Sequence, residues 1–160
     1  MAIATGDTIP EAKLTQATPE GPREVATADL FAGKTVVLFG VPGAFTPTCS
    51  AKHLPGFVQQ AAALKAKGVD TIACMAVNDA FVMKAWGQDQ GITDEVVMLA
   101  DGSAAFTKAL GLDMDLTARG MGVRCKRFAL VAKDGKVSYL GIEEGGTFEA
   151  SKAETVLEGL

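Results

Sequence analysis

The sequence predicts an α/β protein with a central mixed β-sheet and helices on both faces. Residues 71–77 form a run that is apolar at both alternating positions, which is typical of a strand covered on both faces. Such runs alternate with helical segments, so neighbouring strands are expected to be parallel. An Asp-Gly turn between two later apolar runs indicates an antiparallel hairpin in the same sheet.

The first half of the chain contains the signals for a hairpin, two buried strands and two helices. Turn-forming residues at 19–22 separate two short strand signals. Pro55 lacks a backbone donor, so we expect a kink in the helix that Gly68 ends. Asn78 can cap the next helix. The predicted elements are strands at 12–15 and 23–26, a helical turn at 29–31, a strand at 36–41, a helix from Cys49 to Gly68, a strand at 71–77 and a helix through Trp86.

The second half contains shorter elements and a second hairpin. Glycine-rich residues 119–122 are expected to form a loop. Ser151 and Glu154 have the spacing of a capping box, in which each side chain accepts the other residue's backbone N–H. The predicted elements are a strand at 96–100, a helix at 103–110, hairpin strands at 124–132 and 137–142, and a last helix that buries Ala153, Val156, Leu157 and Leu160.

Length and composition restrict the class of protein. At 160 residues the chain is expected to form one domain, residues 1–160. A net charge of −4 without a basic cluster disfavours nucleic acid as a partner, and no apolar run is long enough to span a membrane. Three cysteines and the lack of a basic-then-apolar leader predict a reducing, cytoplasmic location rather than a disulfide framework.

The stretch 36–50 joins a buried strand to the start of a helix and places a cysteine at the junction. Thr46 can cap this helix, Pro47 suits its first position, and Cys49 follows in the first turn. Unpaired backbone N–H groups and the helix dipole favour the nucleophilic thiolate there. Alternatively, Cys49 is a packing residue, since free cysteines are commonly buried. Its polar neighbours argue against this, because a thiol in the core is normally surrounded by apolar side chains.

This order of elements is thioredoxin-like. Residues 46–49 occupy the place of a redox Cys-x-x-Cys motif at a strand-to-helix junction, with Thr46 in place of the first cysteine. The replacement removes dithiol chemistry. A single nucleophile, Cys49, is left.

The same residues resemble the peroxiredoxins. Pro42-x-x-x-Thr46-x-x-Cys49 matches the active-site motif of that family, and the string at 39–57 resembles its type V, or plant type II, subgroup. The resemblance implies a thiol-dependent peroxidase in which Cys49 is the peroxidatic cysteine, Thr46 its hydroxyl partner and Pro42 the shield of the pocket. It also implies that Arg127 is the active-site arginine. Further matches lie at 65–69, 77–82, 86–87 and 126–128.

The implied chemistry requires these residue types. A thiolate attacks one oxygen of hydrogen peroxide or an alkyl hydroperoxide, which yields an alcohol or water and a sulfenic acid without a metal or other cofactor. Negative charge develops on the departing oxygen, and Thr46 and Arg127 can donate hydrogen bonds to it. On the residues alone, a solvated charge at the end of a strand is the favoured interpretation of Arg127, and the resemblance reverses that order.

The thiol that resolves the sulfenic acid is left open. Cys74 matches the second cysteine of plant-type members, but its strand is predicted to be buried. Cys125 lies two residues before Arg127 in a predicted strand, so both side chains are expected on one face. Cys125 is then either a resolving thiol or a small packing residue, and we favour packing. An external reductant is therefore expected: glutathione, glutaredoxin or thioredoxin.

His53, the only histidine, is expected one helical turn beyond Cys49, where it supports the site by packing or hydrogen bonding. The alternatives are a Cys–His acyl-transfer pair or a metal site, although no complete set of metal ligands is visible. A non-enzymatic alternative is a thioredoxin-fold binding or chaperone-like protein in which Cys49 is a regulatory thiol. The resemblance also implies a homodimer, with Pro42, Phe45 and Phe81 as a candidate contact.

Overall fold

The computed structural model describes residues 2–160, and a seven-stranded mixed sheet runs through its centre. The strands are β1 (Lys13–Thr18), β2 (Gly21–Ala26), β3 (Thr35–Gly40), β4 (Thr71–Ala76), β5 (Val97–Ala100), β6 (Asp113–Leu116), β7 (Gly122–Cys125), β8 (Phe128–Lys133) and β9 (Lys136–Ile142). The central order is β2-β1-β5-β4-β3-β8-β9, and β6 pairs with β7 in a separate two-stranded sheet. The β3–β4 and β4–β5 pairs are parallel, and the other pairs are antiparallel.

Helices cover both faces of the central sheet, as predicted. Side chains alternate along β3, so that Phe39 packs on one face and Leu38 on the other. The helices are α1 (Thr27–Phe31), α2 (Leu54–Gln59), α3 (Ala61–Ala66), α4 (Ala80–Asp89), α5 (Ala105–Leu110) and α6 (Ala153–Glu158). Helices α2, α3, α4 and α6 cover the first face, named here the Phe39 face, and α1 and α5 cover the second, the Leu38 face.

The single helix predicted from Cys49 to Gly68 is divided into a π-helix, α2 and α3. Residues Cys49–His53 form a π-helix, in which the Leu54 N–H donates to the Cys49 carbonyl. Helix α2 then begins, and Pro55 lies in its first turn. The π-helix joins α2 directly, so it is fixed to the Phe39 face by Leu54 and Phe57, both fully buried.

The strand predicted at 124–132 is two strands in two different sheets. The chain leaves β7 after Cys125, passes Lys126 and Arg127 outside any strand, and enters the central sheet at Phe128. Periodicity did not reveal the break because both flanking segments have strand-forming sequences. The break places Arg127 at the junction between the two sheets.

Asn78 does not cap α4 as predicted. Asp79 does so, since its Oδ1 accepts the Val82 N–H at 2.9 Å. The Asn78 Oδ1 accepts the Ala44 N–H at 3.0 Å and ties the end of β4 to the loop before the cysteine. Asn78 and Asp79 can each supply a capping oxygen. Because Asn78 binds Ala44, 34 positions away, Asp79 is the residue that caps the helix.

The predicted capping box at the last helix is also absent. Helix α6 begins after Lys152 without a side-chain cap. The Ser151 N–H and hydroxyl both donate to Glu143 Oε2, at 2.7 and 2.6 Å, so Ser151 serves a distant carboxylate instead of the helix end. Among residues 2–160, no helix has the length and apolar character needed to cross a membrane.

Candidate active site

Cys49 opens the π-helix, and its side chain is fully buried on the Phe39 face. Pro47 and Thr48 are the first helical residues before it. A π-helical turn closes an i→i−5 hydrogen bond, is rare, and is frequent at functional sites. Because its side chain is fully buried, the thiol lies behind Thr46 and Arg127, which line the cavity, and not on the surface.

The Thr46 side chain contacts the sulfur directly. Its Oγ1 lies 2.8 Å from Cys49 Sγ and 2.7 Å from the carbonyl oxygen of Gly43. The Thr46 side chain therefore does not cap the helix as predicted, although the Thr46 carbonyl accepts the Ser50 N–H at 3.0 Å. The hydroxyl is left to donate its one proton to the sulfur or to the Gly43 carbonyl.

Arg127 reaches the same sulfur from the junction of the two sheets. Its Nη2 donates to Cys49 Sγ at 3.2 Å, and its Nη1 donates to His53 Nδ1 at 2.9 Å. The Phe148 ring lies under the guanidinium, with its centroid 6.0 Å from Arg127 Cζ. Because the guanidinium is a rigid fork, a partner on one nitrogen fixes the direction of the other.

His53 is buried and uncharged at neutral pH. Burial, and next the positive charge of Arg127, lower the pKa of His53 from 6.5 to about 3. Its Nε2 donates to the Ser151 carbonyl oxygen at 2.9 Å, and its Nδ1 accepts from Arg127. Both ring nitrogens are thus occupied, and neither can take a proton from Cys49 as an acyl-transfer pair requires. Residues 2–160 contain no group of three His, Cys, Asp or Glu side chains placed to hold a metal ion.

Pro42 lies at the mouth of the site, half-buried, in the loop between β3 and Thr46. Its carbonyl accepts from Arg124 Nη1 at 3.3 Å. A Cβ at Gly43 would lie 2.7 Å from that nitrogen and 3.2 Å from Thr46 Cγ2. The absence of a side chain at Gly43 therefore allows Arg124 to close against the loop that carries Pro42 and Thr46.

A cavity of about 690 Å³ opens in front of these residues. One wall is apolar and comes from the β6–β7 hairpin, through Met114, Leu116 and Met121. Arg119 and Lys126 add two positive charges, and neither forms an ion pair with a carboxylate among residues 2–160. Glu143 and Glu144 also line the cavity, which thus combines an apolar wall with three cationic and two acidic residues.

The two other cysteines lie on opposite faces of the central sheet. Cys74 packs on the Phe39 face with Cys49, and Cys125 packs on the Leu38 face. Burial raises the pKa of both thiols. The expectation that Cys125 and Arg127 share one face is wrong, because the alternation of side chains stops where the chain leaves β7.

The sequence did not predict three polar contacts around the site, which involve Trp86, Asn78 and Glu143. The indole N–H of Trp86 donates to Ser50 Oγ at 3.0 Å, which joins α4 to the π-helix. Asn78 holds the cysteine loop, and Glu143 binds the segment that carries Ser151. A polar residue directly after a predicted strand was the available signal for Asn78 and Glu143, because strand ends collect functional side chains.

Comparison with known proteins places this arrangement in a family. The family model described as Redoxin matches residues 4–157. Peroxiredoxin-2E, chloroplastic, of Arabidopsis thaliana is 50% identical over 163 residues, which cover 99% of this chain and 70% of that protein. Peroxiredoxin-2C of Oryza sativa subsp. japonica is 53% identical over 159 residues, which cover 99% of this chain and 98% of that protein.

The solved structures agree with the sequence comparisons. The crystal structure of reduced Prx3 of Vibrio vulnificus in complex with hydrogen peroxide superposes with a TM-score of 0.93 at 55% identity, over 98% of each chain. Oxidized Prx3 of the same organism gives a TM-score of 0.90 at 56% identity over 99% of each chain. This chain therefore belongs to the Redoxin family as a peroxiredoxin, a thiol-dependent peroxidase with a thioredoxin-like fold.

Proposed function

We propose that Cys49 is the sulfur that attacks the peroxide and that Thr46 and Arg127 stabilise the transition state. The observation that carries this proposal is the convergence of two donors from separate segments on one sulfur, at 2.8 and 3.2 Å. Donors placed before the reaction need no reorganisation when charge develops, so they lower the barrier more than flexible groups do.

In the first step the Cys49 thiolate attacks one oxygen of ROOH. An S–O bond forms, the O–O bond breaks, and sulfur is oxidised to sulfenic acid while the peroxide is reduced. The departing RO⁻ takes a proton and leaves as ROH, which is water when the substrate is hydrogen peroxide. Thr46 Oγ1 and Arg127 Nη2 donate to the oxygens on which negative charge develops, and Pro42 shields the sulfur from bulk water.

The cavity supports the acceptance of alkyl hydroperoxides as well as hydrogen peroxide. Met114, Leu116 and Met121 offer an apolar wall for the alkyl group, and methionine adapts to irregular shapes. Hydrogen peroxide has no group that contacts this wall. The wall therefore affects organic substrates selectively.

The sulfenic acid is proposed to be resolved by an external thiol. Cys74 and Cys125 are both buried, and burial keeps their thiols protonated and unreactive. An external thiol condenses with the sulfenic acid and releases water, and a second thiol frees Cys49 and leaves as a disulfide. Arg119 and Lys126 favour an anionic reductant such as glutathione at the mouth, with glutaredoxin or thioredoxin as protein alternatives.

A homodimer is proposed on the basis of exposed aromatic residues near the site. Phe45 is 51% exposed and Phe81 is 71% exposed, and these are the large apolar side chains most open to solvent among residues 2–160. Phe45 also has a φ of 66°, a strained conformation for this residue type that occurs mainly at functional positions. Together with Pro42 they would form a contact that buries both rings.

A reducing, cytoplasmic location is proposed from the odd number of cysteines, all of them free thiols in the structure. Subcellular fractionation of the source cells tests it. Detection of the protein only inside an organelle would contradict the cytoplasmic location.

One experiment tests the nucleophile and the resolving thiol together. The protein is treated with one equivalent of peroxide in the presence of glutathione, and its intact mass is measured. The wild-type chain should carry one glutathione on Cys49, and the Cys49→Ser variant should carry none. A disulfide between Cys49 and Cys74 or Cys125 without a glutathione adduct would show an internal resolving thiol instead.

A further inference from the structure

Glu143 follows β9 directly, and its carboxylate is buried; the residue is only 8% exposed. Its Oε2 accepts from the Glu149 N–H at 2.8 Å, the Ser151 N–H at 2.7 Å and the Ser151 hydroxyl at 2.6 Å. Its Oε1 accepts from the Thr147 hydroxyl at 2.9 Å. Although burial alone would raise the pKa of Glu143, the donors from Ser151, Thr147 and Glu149 outweigh it and hold the pKa below its usual value. An ionised side chain therefore organises the segment 143–151.

The segment 143–151 contacts the active site at three points. The Glu143 N–H donates to the Arg127 carbonyl at 2.9 Å. The Phe148 ring meets the edge of His53, with centroids 5.2 Å apart, and lies under the Arg127 guanidinium. The Ser151 carbonyl accepts from His53 Nε2 at 2.9 Å. A displacement of this segment would therefore reach both His53 and Arg127.

The Ser151 carbonyl determines which ring nitrogen of His53 carries the proton. A carbonyl can only accept a hydrogen bond, so Nε2 must be the protonated nitrogen. In a neutral ring Nδ1 then has a lone pair and accepts from Arg127 Nη1. The opposite tautomer would place an N–H of His53 against an N–H of Arg127, and the guanidinium would lose the partner that fixes its direction.

We propose that Glu143 is a positioning residue for peroxide reduction. By holding the segment 143–151, it keeps the Ser151 carbonyl on His53 Nε2, and the resulting tautomer keeps Arg127 Nη2 directed at Cys49 Sγ. Glu143 touches none of the reacting atoms and acts through Ser151, His53 and Arg127 in turn. The inference rests on the proposed role of Arg127 as a donor to the sulfur and its substrate.

The test combines NMR of His53 with rapid kinetics. His53 is the only histidine in the chain, so ¹⁵N–¹H spectra of the imidazole report its tautomer without ambiguity. The wild-type ring should carry its proton on Nε2 and stay neutral from about pH 5 to about pH 9. The rate of Cys49 oxidation by hydrogen peroxide is measured by stopped flow on the same samples.

Three variants separate positioning from a general effect on the fold. Glu143→Ala should lose the preference for the Nε2–H tautomer and slow Cys49 oxidation about 10- to 100-fold. Glu143→Gln should keep both properties near wild type, because its amide oxygen can accept from Ser151 and Glu149 while its NH₂ donates to Thr147. Glu149→Ala is the matched control, since that exposed carboxylate pairs only with Lys152 and its loss should change neither the tautomer nor the rate.

The outcomes are distinguishable from a failure of the proposed function. If Arg127→Ala slows oxidation but Glu143→Ala changes neither the tautomer nor the rate, the positioning role is wrong and the role of Arg127 stands. A changed tautomer with an unchanged rate, or a slower rate with an unchanged tautomer, also overturns the relay. If Glu143→Ala does not fold, Ser151→Ala takes its place, because it removes the hydroxyl that donates to Glu143 and keeps the Ser151 carbonyl. A wild-type proton on Nδ1, or an unchanged tautomer and rate in Ser151→Ala, then overturns the proposal.

Discussion

Arg127 Nη2 lies 3.2 Å from Cys49 Sγ although 78 positions separate the two residues in the chain. The central sheet brings them together, because β3 and β8 are antiparallel neighbours and Gly40 pairs with Phe128. The cysteine loop leaves the sheet after Gly40, and Arg127 directly precedes Phe128. The two segments thus start from one end of one strand pair, which brings the two residues to the same place.

Substitution of the cysteines should separate the nucleophile from the packing residues. Cys49→Ser should abolish peroxidase turnover with dithiothreitol as reductant, because a serine hydroxyl cannot be oxidised to the sulfenic acid. Cys74→Ala should keep the first oxidation step, since Cys74 is a buried thiol held in its protonated form. Rapid peroxide consumption by Cys49→Ser would contradict the assignment.

Removal of the arginine should slow the chemical step. We expect Arg127→Ala to lower the rate constant of Cys49 oxidation about 100- to 1,000-fold, the usual cost of removing one donor to a developing oxyanion. Arg127→Lys should recover only part of the rate, since a point charge cannot contact His53 and Cys49 together. Arg23→Ala, at an exposed position of β2, is the charge-matched control. An unchanged stopped-flow rate in Arg127→Ala would make the arginine structural.

The apolar wall should discriminate between substrates. Met114→Ala and Met121→Ala should lower kcat/KM for cumene hydroperoxide about 5- to 30-fold, which corresponds to about 1–2 kcal/mol of lost apolar contact. The value for hydrogen peroxide should stay near wild type and serves as the internal control. An equal loss with both substrates would indicate that the β6–β7 hairpin supports the site as a whole.

His53 should make the fold sensitive to acid. Its pKa is about 3 in the folded chain and 6.5 ordinarily, so between these values the unfolded chain binds more protons and stability must fall as the pH falls. The free energy of unfolding should decrease by about 1.4 kcal/mol per pH unit below about pH 6.5. His53→Gln should remove this slope between about pH 6.5 and about pH 5, where carboxylates do not yet titrate. Urea denaturation at several pH values provides the measurement, and identical slopes would exclude His53 as the source.

The exposed phenylalanines should control association. Sedimentation velocity at micromolar concentration should give a dimer for the wild-type protein and a monomer for Phe81→Glu, because a charge in an apolar contact is costly to bury. Phe81→Leu should stay dimeric and excludes a simple loss of folding. A wild-type monomer in both the reduced and the oxidised state would remove the proposed interface.

The layered architecture was predictable because it depends on local patterns. Residues 71–77 are apolar at both parities, and the structure has a fully covered strand there, β4. The Asp134-Gly135 turn was equally clear, since both residues have positive φ, as this type of hairpin turn requires. The break at Lys126 and Arg127 was not visible, because a change of sheet leaves no mark on the alternation within either strand.

The sequence by itself determined the chemistry of one short segment. Thr46 and Cys49 are three positions apart at a helix start, and this spacing alone brings a hydroxyl and a sulfur into contact. Only the tertiary structure decided what faces that sulfur. Arg127 meets His53 across 74 positions, and His53 meets Ser151 across 98, through contacts that no local pattern encodes. Ser151 had a local partner in sequence, but the buried Glu143 carboxylate took it, because an ionised group removed from water needs every donor within reach.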